Sequence, residues 1–366
     1  MNGSRSFDPR RLTTARWAAG LSKRDLAQKV GLSPASITQY EAGRTVPPSA
    51  TLASLCLACG VPQGYLLSEP SRRRPDLSSR SFFRSLRSTS QRDRDRADAQ
   101  AEHVFDLVDV LDREVSLPSI DVPEIGLELA SRTEIEEAAA TVRRAWHVPD
   151  GPIANVVRLL EAHGIVVVRL PSHGKTMDAF SRWFGDRPLI VLWTEKDDKA
   201  RSRFDGAHEL GHLVTHSEAE PLSQEQERQA NMFASAFLMP ADQVKGDLVH
   251  RAPTLGDWPE VFALRARWGV SAKALLYRSR ELGALSETAF RRSMQNYARH
   301  GIAAKDGCAL GEPEQPIMLT RGVNAMEITA SELAERASLP LWQVQASLGA
   351  ATPVSQARVV PLRSVS

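Results

Sequence analysis

The pentapeptide His-Glu-Leu-Gly-His at residues 208–212 constrains this sequence more than any other feature. Its flanks, KARSRFDGA and LV, read as helical, so residues 198–215 are predicted to form one helix. Side chains four residues apart on a helix lie one turn apart on the same face. His208 and His212 are therefore predicted to hold one metal ion between them, with Glu209 as a candidate general base beside it.

The composition is that of a soluble globular protein with more than one core. A chain of 366 residues, 42% apolar and 25% charged, is long enough for two or three domains. It has no apolar run of the roughly 18–20 residues that a bilayer span needs. The N-terminal MNGSRSFDPRR lacks the apolar core of a secretory signal, and three cysteines favour a reducing compartment. We expect a cytoplasmic protein with no membrane partner.

Cys56 and Cys59 form a C-x-x-C pair inside the apolar run LASLCLACGV. One interpretation is a redox or metal-binding pair, and the other is two small buried residues of a helix. No second Cys or His pair follows at the spacing of a zinc ribbon. The sequence therefore favours buried structural residues.

Charge is unevenly distributed along a chain whose net charge is only +2. Residues 1–100 contain 17 Lys and Arg against 8 Asp and Glu, whereas the remainder contains 29 against 36. A basic segment on a nearly neutral chain indicates a polyanionic partner for that segment.

The segment 8–67 reads as a series of short helices. Within it, LSKRDLAQKVGLSPASITQYEAGRTVPP at residues 21–48 predicts a helix over 23–30, a turn at Gly31 and a second helix over 34–42. This arrangement is typical of a helix–turn–helix, whose second helix enters the major groove of DNA.

The same segment resembles the XRE-type, phage-repressor-like helix–turn–helix family over about 60 residues, through LAQKVG, ITQYEAGR and the prolines that follow. The resemblance implies a buried ion pair between Arg16 and Glu41. Pro34 and Ala35 replace the amide-bearing residues of some relatives, which predicts thin direct base readout, although Gln39 can pair with adenine. The alternative is a helical protein-interaction domain that has lost DNA binding. The positions that the resemblance assigns to DNA are Lys23, Ser33, Pro34, Ala35, Ser36, Thr38, Gln39 and Arg44.

A linker and a helix separate this domain from the rest of the chain. Residues 68–90 are rich in Arg and Ser, and 91–114 read as one amphipathic helix. Its apolar stripe is predicted to dock on the second domain or to pair with a second chain. The stripe consists of Ala97, Ala101, Val104, Phe105, Val108 and Leu111.

The second half of the chain alternates helices with β-rich runs. Strands are predicted over Ile165–Leu170, 178–184 and Leu189–Trp193. The last run is expected to offer an edge that could hold an extended peptide by strand addition. A helix over 224–238 ends at Met239-Pro240, and another is predicted over 330–348.

A catalytic zinc site needs a third protein ligand and an open fourth position. The helix after the pentapeptide offers two carboxylates, Glu225 and Glu227. Here FDGAHELGHLVTH and EQERQANMFASAFLMP together resemble the ImmA/IrrE metallopeptidase family, over roughly residues 150–285. The resemblance implies Glu227, four residues before Asn231, as the third ligand.

The implied metal site therefore contains His208, His212 and Glu227 as ligands and Glu209 as the base. The metal is zinc, with manganese as the alternative. Glu225 is the rival ligand. His216 is expected at the surface or beside the ligands, with a substrate or oxyanion role as the alternative.

The resemblances predict a mainly α protein with a small β-sheet. It has an all-α helix–turn–helix domain, a linker helix, an α+β zincin-like metallopeptidase domain and a helical C-terminal region. The predicted divisions are 1–67, 68–123, 124–300 and 301–366.

The predicted function is a DNA-binding transcriptional regulator whose zinc endopeptidase hydrolyses a peptide bond in a repressor-type protein, in trans or in itself. The 68–90 linker is the candidate self-cleavage site. One alternative is a ligand-responsive regulator whose zinc domain is a non-proteolytic sensor, and another is a phage-immunity or toxin–antitoxin component. The expected partners are a double-stranded DNA operator, a helix–turn–helix repressor as substrate and a second copy of the chain in a homodimer.

Overall fold

The structure, a computed structural model, describes part of the chain in which many helices surround a small mixed sheet, as the sequence predicts. Among these residues, every helix is too short or too polar to cross a membrane. The described residues are 6–67, 82–83, 90–126, 131–171, 179–194, 198–215, 223–307 and 310–349.

The N-terminal helices begin and end where their capping residues predict. A capping box between Ser22 and Asp25 starts the second helix, and Gly31 ends it at φ 70°. Ser33 caps the third helix, with Pro34 in its first turn. The helices are α1 Pro9–Ala18, α2 Lys23–Val30, α3 Pro34–Glu41, α4 Ser49–Cys59 and α5 Gln63–Leu66.

The sheet has three strands of five to seven residues and one strand of two residues. The strands are β1 Phe82–Phe83, β2 Val166–Leu170, β3 Phe180–Phe184 and β4 Arg187–Trp193. Their order is β1-β3-β4-β2, with β4 antiparallel to β3 and parallel to β2. The expectation that Leu189–Trp193 forms an edge is wrong, because β4 is paired on both sides. Its continuous apolar run suits a central strand.

The two faces of the sheet are covered by different helices. The helices that follow β1 and pack around the sheet are α6 Gln91–Asp112, α7 Arg132–Ala145, α8 Val156–Ala162, α9 Lys199–Thr215 and α10 Gln224–Leu238. On one face, α9 contacts β3 and β4. On the other face, Phe105 of α6 stacks on Phe184 of β3 with ring centroids 3.8 Å apart. The apolar stripe of α6 is buried within its own chain, so the intrachain alternative describes this structure.

The C-terminal helices return to α6 and the sheet. The predicted single helix over 330–348 is broken, because Ser338 has φ 55° and Pro340 cannot continue a helix. The remaining helices are α11 Ala241–Val244, α12 Trp258–Trp268, α13 Ala272–Glu281, α14 Glu287–Arg299, α15 Ile302–Gly307, α16 Met318–Ala325, α17 Ala330–Ala337 and α18 Leu341–Ser347. Both α16 and α18 contact α6 and β2, so the end of the described chain packs beside the linker helix.

Two apolar cores result, one on each face of the sheet. One combines α7 to α10 with α12 and α13. The other joins the helix–turn–helix, α6, the opposite sheet face and α16 to α18. The helix–turn–helix therefore shares a core with the sheet.

Candidate functional site

Helix α9 buries the two histidines and the glutamate of the pentapeptide. His208, Glu209 and His212 each have 0% exposure. The Nε2 atoms of His208 and His212 lie 3.1 Å apart, as expected for residues one turn apart. Burying two imidazoles and a carboxylate on one helix is costly unless their polar atoms are satisfied, which makes this cluster a candidate functional site.

Helix α10 approaches α9 closely at Gly211. A Cβ atom at this position would lie 3.1 Å from Cδ1 of Phe233 on α10. Glycine thus permits the close contact of the two helices. The approach brings Glu227 of α10 to the histidines. Its Oε2 lies 3.5 Å from His208 Nε2, and its Oε1 lies 3.6 Å from His212 Nε2.

These three side chains have the geometry of a metal site. A tetrahedral zinc ion holds nitrogen and oxygen ligands at about 2.0–2.1 Å, which places the ligand atoms roughly 3.3 Å from one another. The Nε2–Nε2 distance of 3.1 Å lies close to that spacing. Each carboxylate oxygen of Glu227 lies at a similar distance from one imidazole, 3.5 Å for Oε2 to His208 and 3.6 Å for Oε1 to His212. Two imidazoles and one carboxylate are also a donor set that zinc accepts at catalytic sites. The residues present therefore fit a zinc ion.

Glu227 is ionised at neutral pH. Burial raises its pKa, but hydrogen bonds and charge from the imidazoles of His208 and His212 outweigh that effect and lower the pKa to about 2. A carboxylate must be deprotonated to bind a metal, so Glu227 is already in the protonation state that binds one.

Glu209 is fixed by a residue that the sequence analysis missed. Ser181 of β3 is fully buried, and its Oγ donates a hydrogen bond to Glu209 Oε2 at 2.8 Å. This contact joins the sheet to the helix across 28 residues of sequence. The chain contains no local motif around Ser181, and only its inward position on a strand beside α9 could have pointed to it.

The rival candidates occupy other surroundings. Glu225 is partly exposed and pairs with Arg228 on its own helix. His216 lies outside the described residues. Of the two candidate carboxylates on α10, the structure thus brings Glu227 to the histidines and Glu225 to solvent.

A cleft of about 1060 Å³ opens beside Glu227. It follows α10 past Asn231 towards α13 and α15, where Lys273 and Tyr277 line it. Asn231 also donates a hydrogen bond from Nδ2 to the carbonyl oxygen of Glu227 at 2.7 Å. Asn231 thus lines the cleft and also holds the backbone carbonyl of Glu227, the residue that carries the candidate ligand.

The candidate DNA-facing residues divide into two groups. Several make contacts within their own domain: Ser33 caps α3, Thr38 Oγ1 donates to the Pro34 carbonyl at 3.0 Å, and Lys23 lies 3.3 Å from Glu41. The Ser33 and Ser36 hydroxyls lie 2.9 Å apart. The other group consists of Pro34, Ala35, Gln39 and Arg44. These residues are exposed at the surface, as are Ser33 and Thr38 of the first group.

The structural pairs expected in this domain are present. Arg16 donates hydrogen bonds to both carboxylate oxygens of Glu41, and both side chains are buried. Cys56 and Cys59 are free thiols buried on α4, at 4% and 8% exposure. The C-x-x-C therefore forms part of the core in this structure, as the sequence favours.

Comparisons with known families give one domain match over each of the two candidate sites. Residues 160–280 match the IrrE N-terminal-like domain, a metallopeptidase-type family, and residues 10–66 match a helix-turn-helix domain. A comparison with curated proteins finds no match. The first match contains the cluster of His208, His212 and Glu227, and the second contains nearly all of α1 to α5. The predicted pairing of these two domain types in one chain is confirmed.

Proposed function

This chain joins a helix–turn–helix domain to an IrrE-like metallopeptidase-type domain, and from that premise we propose a DNA-binding transcriptional regulator with a zinc-dependent endopeptidase. Its substrate is a repressor-type protein, cleaved in trans or in the chain itself. The observation that carries the proposal is the buried Glu209, which follows a metal ligand in sequence and is held by Ser181. A purely structural zinc site needs no such base.

Each residue of the site has a defined part in the proposed hydrolysis. His208, His212 and Glu227 would hold zinc, which when bound polarises a scissile carbonyl and acidifies an adjacent water. Glu209 accepts a proton from that water as its oxygen attacks the carbonyl carbon. The same carboxyl then gives the proton to the scissile peptide nitrogen as its bond to the carbonyl carbon breaks. Ser181 keeps the carboxylate oriented between these two events.

The test compares the wild-type chain with Glu209→Gln. Both proteins are loaded with zinc and incubated alone and with helix–turn–helix repressors encoded beside the gene, and fragments are identified by mass spectrometry. We expect fragments with wild type only, while both proteins retain about one zinc per chain. Equal cleavage by the two proteins, or no cleavage by either, would contradict the peptidase proposal.

The alternative, a zinc domain that acts as a non-proteolytic sensor, predicts a different result for the same two proteins. In that case neither protein cuts, and a small molecule alters DNA binding equally in wild type and Glu209→Gln. The fixed position of Glu209 favours the peptidase.

For the N-terminal domain we propose binding of double-stranded DNA by a homodimer through the exposed side of α3. Arg44 would contact a phosphate and Gln39 an adenine. Arg44→Ala should reduce the slope of the DNA-binding constant against salt, on logarithmic scales, by about 1. Gln39→Ala should weaken DNA binding by about 1–3 kcal/mol and relax the sequence preference at one base pair. Arg291→Ala removes an exposed charge of α14 and should leave the slope unchanged. Mobility shifts across a salt series, with light scattering for the dimer, test these statements.

A further inference from the structure

The outer edge of β3 is covered by the chain's own β1. Phe82 pairs with Ser181 and Phe83 pairs with Phe180, in antiparallel register. On its other side β3 pairs with β4, so without β1 it would be an edge strand of the described sheet. A strand edge presents a row of main-chain donors and acceptors that pair readily with an extended peptide.

This edge lies beside the candidate catalytic base. Ser181, the partner of Phe82 in the pairing, is the residue that donates to Glu209 Oε2. Neighbouring strands are about 4.8 Å apart. A peptide on the outer edge of β3 therefore runs within one strand spacing of the residue that fixes the base.

We propose that Phe82–Phe83 occupies, within its own chain, the position that a substrate peptide takes on β3. The linker strand is then an intramolecular competitor of substrates that arrive in trans. This inference rests on the proposed peptidase function and adds to it the surface on which a peptide binds. Strand addition uses main-chain hydrogen bonds for affinity, so the chain's own segment and a foreign segment can use the same edge.

The tether makes a weak strand an effective competitor. Because β1 belongs to the same chain as β3, it competes at an effective concentration on the order of millimolar. Removing the tethered strand should therefore tighten the binding of a separate peptide by about 10-fold or more. The same argument predicts that a substrate must displace β1 before it is cut.

The experiment removes the main-chain donors of β1. Two full-length Glu209→Gln proteins are loaded with zinc, one with the wild-type linker and one that also carries F82P/F83P. Each is titrated with a fluorescent peptide of the wild-type residues 68–90. The matched control is S78P/S79P, which places two prolines in the same linker outside β1. Anisotropy should give a Kd about 10-fold lower for F82P/F83P than for either reference protein.

Hydrogen exchange of the β3 amides is the second readout, and it does not depend on activity. F82P/F83P should raise exchange at whichever of residues 180 and 181 points its amide at β1, and S78P/S79P should not. In an antiparallel ladder one of two successive residues points its donor at the partner strand. One of the single variants F82P and F83P should thus raise amide exchange in β3 as much as the double variant does. The other should leave the β3 amides protected as in the parent protein.

Two results would overturn the inference. One is unchanged exchange in F82P/F83P, and the other is raised exchange with an unchanged Kd for the peptide. Failure of the wild-type chain to cut any protein affects the proposed function alone, because neither readout uses catalysis.

Discussion

Ser181 Oγ donates a hydrogen bond to Glu209 Oε2 at 2.8 Å, with both residues fully buried. A residue of the sheet therefore fixes the carboxylate that α9 presents beside the two histidines. The position of the candidate base thus depends on the packing of two elements that are distant in sequence.

Replacing Ser181 with Ala should slow peptide cleavage without emptying the metal site. A hydrogen bond to a charged group contributes about 1.5–3 kcal/mol, which corresponds to a loss of about 10–150-fold in kcat with a small change in KM. Zinc content, measured by mass spectrometry of the metal, should stay near that of wild type. Ser293→Ala removes another fully buried hydroxyl, which donates only to the Ala289 carbonyl of its own helix, and should leave kcat unchanged. A kcat for Ser181→Ala equal to that of Ser293→Ala would remove Ser181 from the site.

Glu227 and Glu225 offer a matched test of the metal ligands. Glu227→Gln should lower zinc affinity strongly, because the carboxylate lies 3.5 and 3.6 Å from the two histidine Nε2 atoms. Glu225→Gln changes a residue two positions away that pairs with Arg228 at the surface, and its zinc affinity should match wild type. Competition with a chelating dye measures both affinities. Loss of zinc from Glu225→Gln alone would reverse the assignment.

The buried thiols should react slowly at pH 8. Burial raises the pKa of Cys56 to about 11 and that of Cys59 to about 12, so little thiolate is present. Because folding raises these pKa values, their contribution to stability is complete below about pH 8.5 and is lost as the pH rises towards 11–12.

Alkylation with iodoacetamide measures the reactivity of Cys56 and Cys59 when the third cysteine is removed by Cys308→Ser. Labelling of the native protein should be at least about 100-fold slower than labelling in denaturant, since a pKa raised by two units leaves about one-hundredth of the thiolate. Rapid labelling of native protein at pH 8 would instead favour a reactive pair.

The ion pair between Arg11 of α1 and Asp106 of α6 should be important for docking of the helix–turn–helix. Both side chains are buried, and although burial lowers the pKa of Arg11, the neighbouring Asp106 carboxylate raises it above its usual range. Asp106→Ala should destabilise the fold by about 3–5 kcal/mol, because it removes the carboxylate that forms an ion pair with a buried cation. R11L/D106L removes both charges and should recover most of that loss. Urea unfolding followed by circular dichroism gives the comparison, and equal losses in both variants would contradict it.

The spacing of the pentapeptide was sufficient to predict one face of the site, because His208 and His212 are local neighbours on a helix. Glu227 could be chosen over Glu225 only through resemblance, since the rotation of α10 against α9 depends on packing at Gly211 and Phe233. Ser181 was not predictable, because its contact with Glu209 is made entirely by tertiary structure. Strand order is equally non-local, and for that reason β4 was mistaken for an edge.

The position of α6 has a consequence for building hybrid regulators. Its Asp106 belongs to the contact with α1, while its Phe105 belongs to the contact with β3. A foreign DNA-binding domain that replaces α1 to α5 would therefore pack against an α6 surface that is shaped for another partner. We expect working chimaeras to exchange the head together with α6, or to redesign the α1 side of that helix while leaving Phe105 in place.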